Sequence, residues 1–461
     1  VRNLVAQLTV EKKDGDPRRG HLYEPVGEAR LAAELLDVIG KRRRLAGENG
    51  EVVGVPSPHL EEVWSPGKPV PDSSVLDSEQ SNTSIRFGQQ MILKLFRKVD
   101  PGMNPDLEIG KFLTERTDFE HYPRVLGGME YRTPRGPSST LGVLQEYVPN
   151  EGDAWRFTLD ALQQYWERCL SLSPEERSSP KLPSASLLER SGLEADEMIR
   201  TLIGPALNSI QDLGRMTGEM HLALASDPTR PDFAPEPDPP HFSRSLFQSV
   251  RSQARESLDL LRKRLETVPE DDRRSAEILL SRGEEVRRRL RSLTDEEISS
   301  RRIRCHGDYH LGQVLYTGRD FVVIDFEGEP ARSISERRLK RSPLRDVSGM
   351  LRSLHYASVF GLLHGEAVRP EDRAVLEPWA RVWYFWMSGA FLKGYLDMVE
   401  DATFLPGSRS AREGLLKLFL FEKAAYELRY ELNNRPDWVR VPVEGLLDLL
   451  GSPGEAGEDE G

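Results

Sequence analysis

Cysteine is nearly missing from this chain: Cys169 and Cys305 are its only two, so no disulfide framework or thiolate metal site is indicated. Long apolar runs are missing as well. The richest stretches, 382–391 and 415–421, are interrupted by Ser, Gly or Lys. They fall far short of the eighteen or so residues that cross a bilayer, and read as buried helices. Nor is there an excess of positive charge. The 63 Lys and Arg face 75 Asp and Glu, for a net charge of −12, which argues against a general nucleic-acid binder because phosphate backbones demand a basic surface. The run Arg287-Arg288-Arg289 is interleaved with acids and reads as a solvated helix face. The expected setting is a reducing cytoplasm, without membrane or nucleic acid. No signal peptide is visible, and the start on Val1 predicts either an artificial start or a segment of a longer polypeptide.

What is present is 461 residues, too many for one compact core, with 30% charged and 38% hydrophobic residues; two or three lobes around a cleft are expected. Residues 1–80 mix a short strand pattern (Leu4 to Val10), a helix (Glu28 to Ile39) and Pro-rich connections, and are assigned to an N-terminal cap subdomain. Residues 81–150 form a β-rich nucleotide-binding subdomain: a hairpin from the runs 84–87 and 90–96, a helix opened by Asn104-Pro105, and a strand over 141–148. From 151 to 450 the pattern is mainly helical, with one catalytic-looking loop and, over 245–300, a charged pair of amphipathic helices reading as an antiparallel hairpin. Residues 451–461 are Gly, Glu and Asp with almost no apolar residue, an expected disordered acidic tail. The class is α+β in two unequal lobes.

The strongest chemical signal is the stretch from Cys305 to Pro330. Phosphoryl transfer needs a carboxylate to accept the proton of an attacking hydroxyl, and oxygen ligands to hold Mg²⁺ against the phosphates. Asp308 suits the first role; Gln313, Asp325 and Glu327 suit the second, a two-stranded turn bringing Asp325 back beside Gln313. Asp325 ends the apolar run Phe321 to Ile324, where a carboxylate is costly without a metal or hydrogen-bond partner. A surface hairpin with capping acids explains any one of these residues, but not His306, Asp308, Gln313 and Asp325 together.

A kinase also needs a lysine on the ATP phosphates and an acid to position it. Lys94 lies on a strand whose two faces both read as buried, so it calls for an anion, and Glu108 is the candidate because it shares a helix face with Phe112. A snorkelling lysine and a first-turn glutamate are the plainer readings of each alone. The glycine-rich phosphate loop is absent; Ser81, Asn82, Thr83 and Ser84 occupy its place, with hydroxyls and backbone N–H groups as substitutes. Gln145, Glu146 and Val148 lie where a hinge backbone would read adenine. Near the C-terminus, Glu422, Tyr426 and Tyr430 recur every four residues on one helix face, with Arg435 and Trp438 beyond its end. Such a stripe suits a sugar, although helix packing explains each residue singly.

The segments 79–84, 92–96, 305–308, 310–315, 324–330, 342–347 and 430–438 together resemble the maltokinase family, within the aminoglycoside-phosphotransferase-like, protein-kinase-like kinases. That resemblance implies a bilobal kinase-like fold, with a cap subdomain before a small β-rich N-lobe and a large helical C-lobe. It implies ATP and Mg²⁺ as cofactors, maltose as acceptor and maltose 1-phosphate as product for α-glucan synthesis. It also implies His310 and Tyr356 as acceptor-site residues, and fusion to or association with a trehalose synthase. His355 stands where an acid is expected before Tyr356. The alternatives are a kinase of the same fold acting on an amino alcohol or aminoglycoside, or a catalytically dead scaffold module.

Overall fold

The computed structural model describes residues 4–12, 15–76, 82–178, 180–292, 299–329 and 331–451. Ser81, and all of the expected acidic tail except Gly451, lie outside the described residues. The chain forms two compact units, Val1–Pro149 with Glu329–Arg338, and Asn150–Gly328 with Leu339–Gly461.

In the first unit, strands β1 (Leu4–Lys12) and β2 (Gly15–Tyr23) pair as a separate hairpin. Seven further strands make one antiparallel sheet: β3 (Arg44–Ala46), β4 (Glu51–Pro56), β5 (Ser73–Leu76), β6 (Asn82–Phe87), β7 (Met91–Phe96), β8 (Val125–Arg132) and β9 (Ser139–Glu146). Their spatial order is β3-β4-β8-β9-β7-β6-β5. β3, β4 and β5, from the stretch expected in a cap, therefore belong to the same sheet as β6–β9. β4 reaches that sheet by pairing with β8, far along the chain, a long-range partner that local alternation cannot reveal.

Helix α1 (Ala29–Gly40) buries Ala32, Leu36 and Ile39, spaced three and four apart, in a cluster with Trp64, Phe87, Leu93 and Leu144. It lies so close to β4 that a Cβ at Gly54 would overlap the Val38 carbonyl. Helix α2 (Pro105–Arg116) starts where the Asn104 side chain accepts from the Asp106 N–H and Pro105 takes the first turn. The returning segment is fastened to this helix and the loop before it: Arg338 grips Glu108 at 2.6 and 3.0 Å, and Arg337 lies 3.4 Å from Asp100.

The second unit is mainly helical: α3 (Ala154–Ser171), α4 (Ala206–Leu224), α5 (Phe242–Lys263), α6 (Glu270–Ser281), α7 (Gly283–Ser292), α8 (Leu344–His364), α9 (Arg373–Met398), α10 (Arg409–Asn434) and α11 (Arg440–Leu450). The stretch expected as a two-helix hairpin over 245–300 contains three helices instead. Pro269 separates α5 from α6, and the chain breaks again at Arg282, which turns its guanidinium onto Glu285 and the Gly451 carbonyl. Two short pairs, β10 (Glu236–Pro237) with β11 (Arg301–Arg302) and β12 (Val314–Tyr316) with β13 (Phe321–Val323), complete the unit.

The α4–α9 contact positions much of the helical core. Gly214 of α4 abuts the Phe391 carbonyl, and Gly394 of α9 abuts the Gln211 carbonyl, with no room for a Cβ at either. Backbones this close leave only small residues at the crossing, and rigid carbonyls cannot yield as side-chain ends can. Gly394→Ala is expected to destabilise the protein by about 1–3 kcal/mol despite alanine's higher helix propensity. A urea titration followed by far-UV circular dichroism checks this; an unchanged or raised midpoint would mean that the helices separate at little cost.

Candidate active site

The Asp308 loop is held from below by one buried carboxylate. Asp346, in the first turn of α8 and 2% exposed, accepts from the backbone N–H of His306 at 2.7 Å and of Gly307 at 3.0 Å, and contacts His221 Nε2 of α4 at 3.2 Å. Burial pushes its pKa upward, but the His221 hydrogen bond and the charges and amides around it outweigh burial, leaving the pKa below the ordinary aspartate value. Two more contacts pin the loop: Tyr309 to Thr217 at 2.9 Å, and the Leu311 N–H to Ser353 at 3.1 Å.

His306 links this loop to the end of β13. Its Nε2 lies 2.9 Å from the Ile324 carbonyl and its Nδ1 3.4 Å from the Asp308 N–H. A carbonyl only accepts and an amide only donates, so Nε2 carries a proton and Nδ1 presents a lone pair. Asp308 is thereby set at a fixed place, its side chain 30% exposed and 3.6 Å from Lys423 of α10. His310 turns its ring back to accept from the Gly312 N–H, and burial lowers its pKa, opposed by the Asp308 charge. Cys305 is fully buried beside the loop and its thiol is pushed well up by burial, so it is no nucleophile.

Asp325 follows β13 in the left-handed region, φ +67°, a conformation tolerated by Asp and uncommon for most other side chains. The Gln313 side-chain amide donates to Asp325 at 3.0 Å, while the Gln313 backbone carbonyl accepts from the Ile324 N–H. Gln313 thus orients the carboxylate, and its amide nitrogen is engaged in doing so. Asp325 and Glu327 offer carboxylate oxygens within 4.8 Å of each other. This is a hard, all-oxygen donor pair that fits Mg²⁺.

In the first unit Lys94 is 7% exposed, as its strand requires, and its ammonium lies 3.5 Å from Asp106. Asp106, two residues before the expected Glu108, is thus a carboxylate against Lys94, while Glu108 takes the bidentate grip of Arg338. Asn104 caps the helix through the N–H of Asp106, holding that residue at the start of α2. Tyr122 extends the cluster, donating toward Asp106 at 3.3 Å and receiving from Gln145 at 2.5 Å. Asn82, Thr83 and Ser84 are buried residues of β6, in register with β7, rather than a loop; Thr83 accepts from Arg97, and Ser84 pairs across from Lys94. The Glu146 N–H is committed to the Arg124 carbonyl and its side chain to the Arg124 guanidinium, while the Tyr147 N–H serves the Gln90 carbonyl. Val148 follows directly after β9 and Tyr147.

The stripe on α10 extends from Lys423. Tyr426 and Tyr430 are stacked with centroids 6.5 Å apart, Lys423 lies over the Tyr426 ring at 5.7 Å, and Tyr430 is 45% exposed. Its carboxylates are compensated one by one. Glu422 pairs with Arg345 at 2.8 Å, Glu427 with the buried Arg352 at 2.8 Å, and Glu431 with Arg435 at 2.7 Å. Tyr356 donates to Glu431 at 3.1 Å. Trp438 has Arg435 at 4.9 Å from its centroid and Phe360 stacked at 5.1 Å, so it behaves as a packed hub. His355, in the place where an acid was expected, is buried, and accepts from Arg352 through Nδ1 at 3.1 Å. Burial and the charges of Arg352 and Arg381 hold its pKa well below that of a free histidine.

Asp346, His221 and Asp106 escape a reading by motif. Asp346 lies inside the 342–347 segment and carries one signal, an acid in a helix first turn just after Pro343, which on its own reads as a dipole complement. Asp106 hides for the same reason.

Residues 199–328, which include Asp308, Gln313, Asp325 and Glu327, match the model of the phosphotransferase enzyme family (APH). Two curated relatives, each named glucosamine kinase, come from Mycolicibacterium smegmatis and Streptacidiphilus jiangxiensis. The first is 24% identical over 81% of this chain and 78% of its own length, the second 24% identical over 84% and 76%. A solved glucosamine kinase in complex with glucosamine, ADP and inorganic phosphate superposes with a TM-score of 0.61 at 19% identity, covering 88% of this chain and 93% of that one.

Asp346→Asn directs an N–H₂ group at a site that needs only acceptors. The loss of a charge-assisted bond is expected to cost roughly 1.5–3 kcal/mol. Because the folded pKa is depressed, the wild-type carboxylate adds stability above about pH 4, the unfolded aspartate value, and that contribution disappears as pH falls through the folded value. Urea midpoints at neutral pH and at pH 3 should therefore differ less for the variant than for wild type; parallel shifts would remove Asp346 as the anionic brace. The family match of residues 199–328 and the likeness in structure lead to one conclusion: the chain has the APH-type, protein-kinase-like fold, a β-sheet lobe with a large helical part.

Proposed function

We propose that the protein is an ATP-dependent sugar kinase whose acceptor is a neutral sugar, maltose, phosphorylated at its anomeric hydroxyl. The observation that carries the choice of acceptor is the charge balance of α10: Glu422, Glu427 and Glu431 each already have an arginine, and Lys423 stands 3.6 Å from Asp308. A cationic amino group would meet Lys423 with no uncompensated carboxylate on this helix to receive it. A neutral hydroxyl meets no such penalty.

In this reading Asp308 takes the proton of the anomeric hydroxyl as that oxygen forms its bond to the γ-phosphorus; the bond from the γ-phosphorus to the bridging oxygen breaks, and ADP leaves. His306 keeps Asp308 in place, and Lys423 supports charge on the transferred phosphoryl group. Asp325, Glu327 and the Gln313 amide oxygen would hold Mg²⁺, which when bound offsets the charge of the phosphate oxygens. Lys94, positioned by Asp106, serves the nucleotide phosphates. Tyr426 and Tyr430 supply faces against which sugar rings stack.

The curated relatives named glucosamine kinase favour a second reading, an amino sugar acceptor. ADP release measured with ATP and Mg²⁺ against maltose, glucose, glucosamine, trehalose, choline and kanamycin separates the two. The highest kcat/KM is expected with maltose; a higher value with glucosamine would replace the first reading by the second. Asp308→Asn is expected to lower kcat by roughly 10²–10⁴-fold with little change in ATP affinity, since an amide keeps the shape but cannot accept the proton. Turnover near the wild-type rate would remove Asp308 as base.

A further inference from the structure

Two helices of the charged stretch, α5 and α7, flank a feature that the catalytic reading leaves unused. A cavity of about 930 Å³ lies between the N-terminal half of α5 and α7, lined by Arg244 and Arg251 from the first and Arg287, Arg288 and Arg291 from the second. Its volume is that of a small-molecule site. Among the described residues, the carboxylates on its wall are Asp238 and Glu284. Glu284 is paired with Arg287; Asp238 is engaged by the Ser300 N–H and hydroxyl. Arg251 lies over the Phe247 ring, 5.6 Å from its centroid, which orients its guanidinium plane. In a chain of net charge −12, the described residues bring five guanidinium groups against two acids at one concave place, a local reversal of sign among them.

The N-terminus of α5 adds to it. Its N-cap residue, His241, is left-handed (φ +61°) and supplies no side-chain cap, so the positive end of a 22-residue helix is directed toward the same wall. Pro237, Pro239 and Pro240 make the rim stiff. Guanidinium forks bind phosphoryl oxygens two at a time. Five of them exceed what one phosphate can engage. The enclosed volume suits a compact ligand rather than a duplex or an extended chain.

We infer that this cavity is a binding site for a small molecule carrying two or more phosphoryl groups, separate from the nucleotide site. It lies on the helix most firmly tied to α10: further along α5, Ser257 donates to the Ala425 carbonyl at 2.6 Å, Glu256 meets Arg429 at 3.4 Å, and Arg264, just past its end, donates to the Leu432 carbonyl at 2.6 Å. Calorimetric titration of the protein saturated with ADP tests the inference, using pyrophosphate and inorganic phosphate as probes. Pyrophosphate is expected to bind one further equivalent, more tightly than phosphate. It should slow amide hydrogen exchange over 242–251 and 283–292. Arg244→Ala/Arg288→Ala, at exposed positions, should weaken that binding at least tenfold without moving the melting temperature of the unliganded protein. Lack of binding once ADP is saturating, equal affinity for the two anions, full affinity in the double variant, or protection confined to other segments would each overturn it.

Discussion

A single buried carboxylate decides whether the Asp308 loop has a shape at all. Backbone N–H groups at His306 and Gly307 belong to no helix or strand, and buried unpaired amides are costly. Asp346 satisfies both, and takes His221 from α4 as a third partner. Its carboxylate therefore joins three parts of the second unit, α4, α8 and the loop, through one atom group. The close approach at Gly349, where a Cβ would crowd the Tyr309 carbonyl, lets α8 come near enough for this. Everything further out follows from that anchor: His306 in its tautomer, Asp308 on His306, and the Ile324 carbonyl that places Asp325 after β13. Asp308 is placed through its backbone N–H, so its position does not depend on its carboxylate, which meets Lys423 at 3.6 Å.

Helix α10 follows a different logic, pairwise neutralisation. Its Glu422, Glu427 and Glu431 project from different sides of the helix, and each has been matched by an arginine from α8 or from the helix's own end. Arg352 is fully enclosed, so its pair with Glu427 is a desolvated one, sustained by geometry on both guanidinium nitrogens. Burial raises the Glu431 pKa, which Arg435 and Tyr356 oppose. Lys423 of the same helix finds its opposite charge in the loop, 3.6 Å from Asp308. The buried, uncharged His355 fits the same pattern: an acid there would compete with Glu427 for Arg352.

The Asp308 loop was legible in the sequence because its residues are close together and their chemistry is costly unless used. The same holds for the hairpin of β6 and β7, where Gly88 takes φ +55° at the turn, and for the Asn104-Pro105 helix start. Tertiary partners were much less visible. The i, i+4 argument that turned Glu108 inward was sound about burial, since Glu108 is 8% exposed, but periodicity cannot say which cation waits there; Arg338, distant in sequence, takes it. Residues 82–84 lie on β6, paired with β7, and this pairing with a later strand is what the local sequence could not display. Trp438, expected at the end of the aromatic stripe, has Arg435 and Phe360 against its ring, neighbours that spacing along one helix cannot reveal.

The arginines of α5 and α7 show how one sequence feature supports two physical readings. On a helix drawn alone, arginines alternating with acids make a solvated face, and exposed ion pairs such as Arg262 with Asp259 contribute little. Folding changes the account when two such faces are brought across a cavity. Like charges at exposed positions are screened by water, yet held on two facing helices they cannot separate, and a concavity focuses their field. The segment keeps them there by burying Leu246, Val250, Leu261, Leu279, Val286 and Leu290. A protein with ample acid in its composition could have placed more of it opposite Arg244 and Arg251. That the described wall holds mainly guanidinium groups, on a helix whose other end is fastened to α10, is an arrangement relieved by an anion brought from outside.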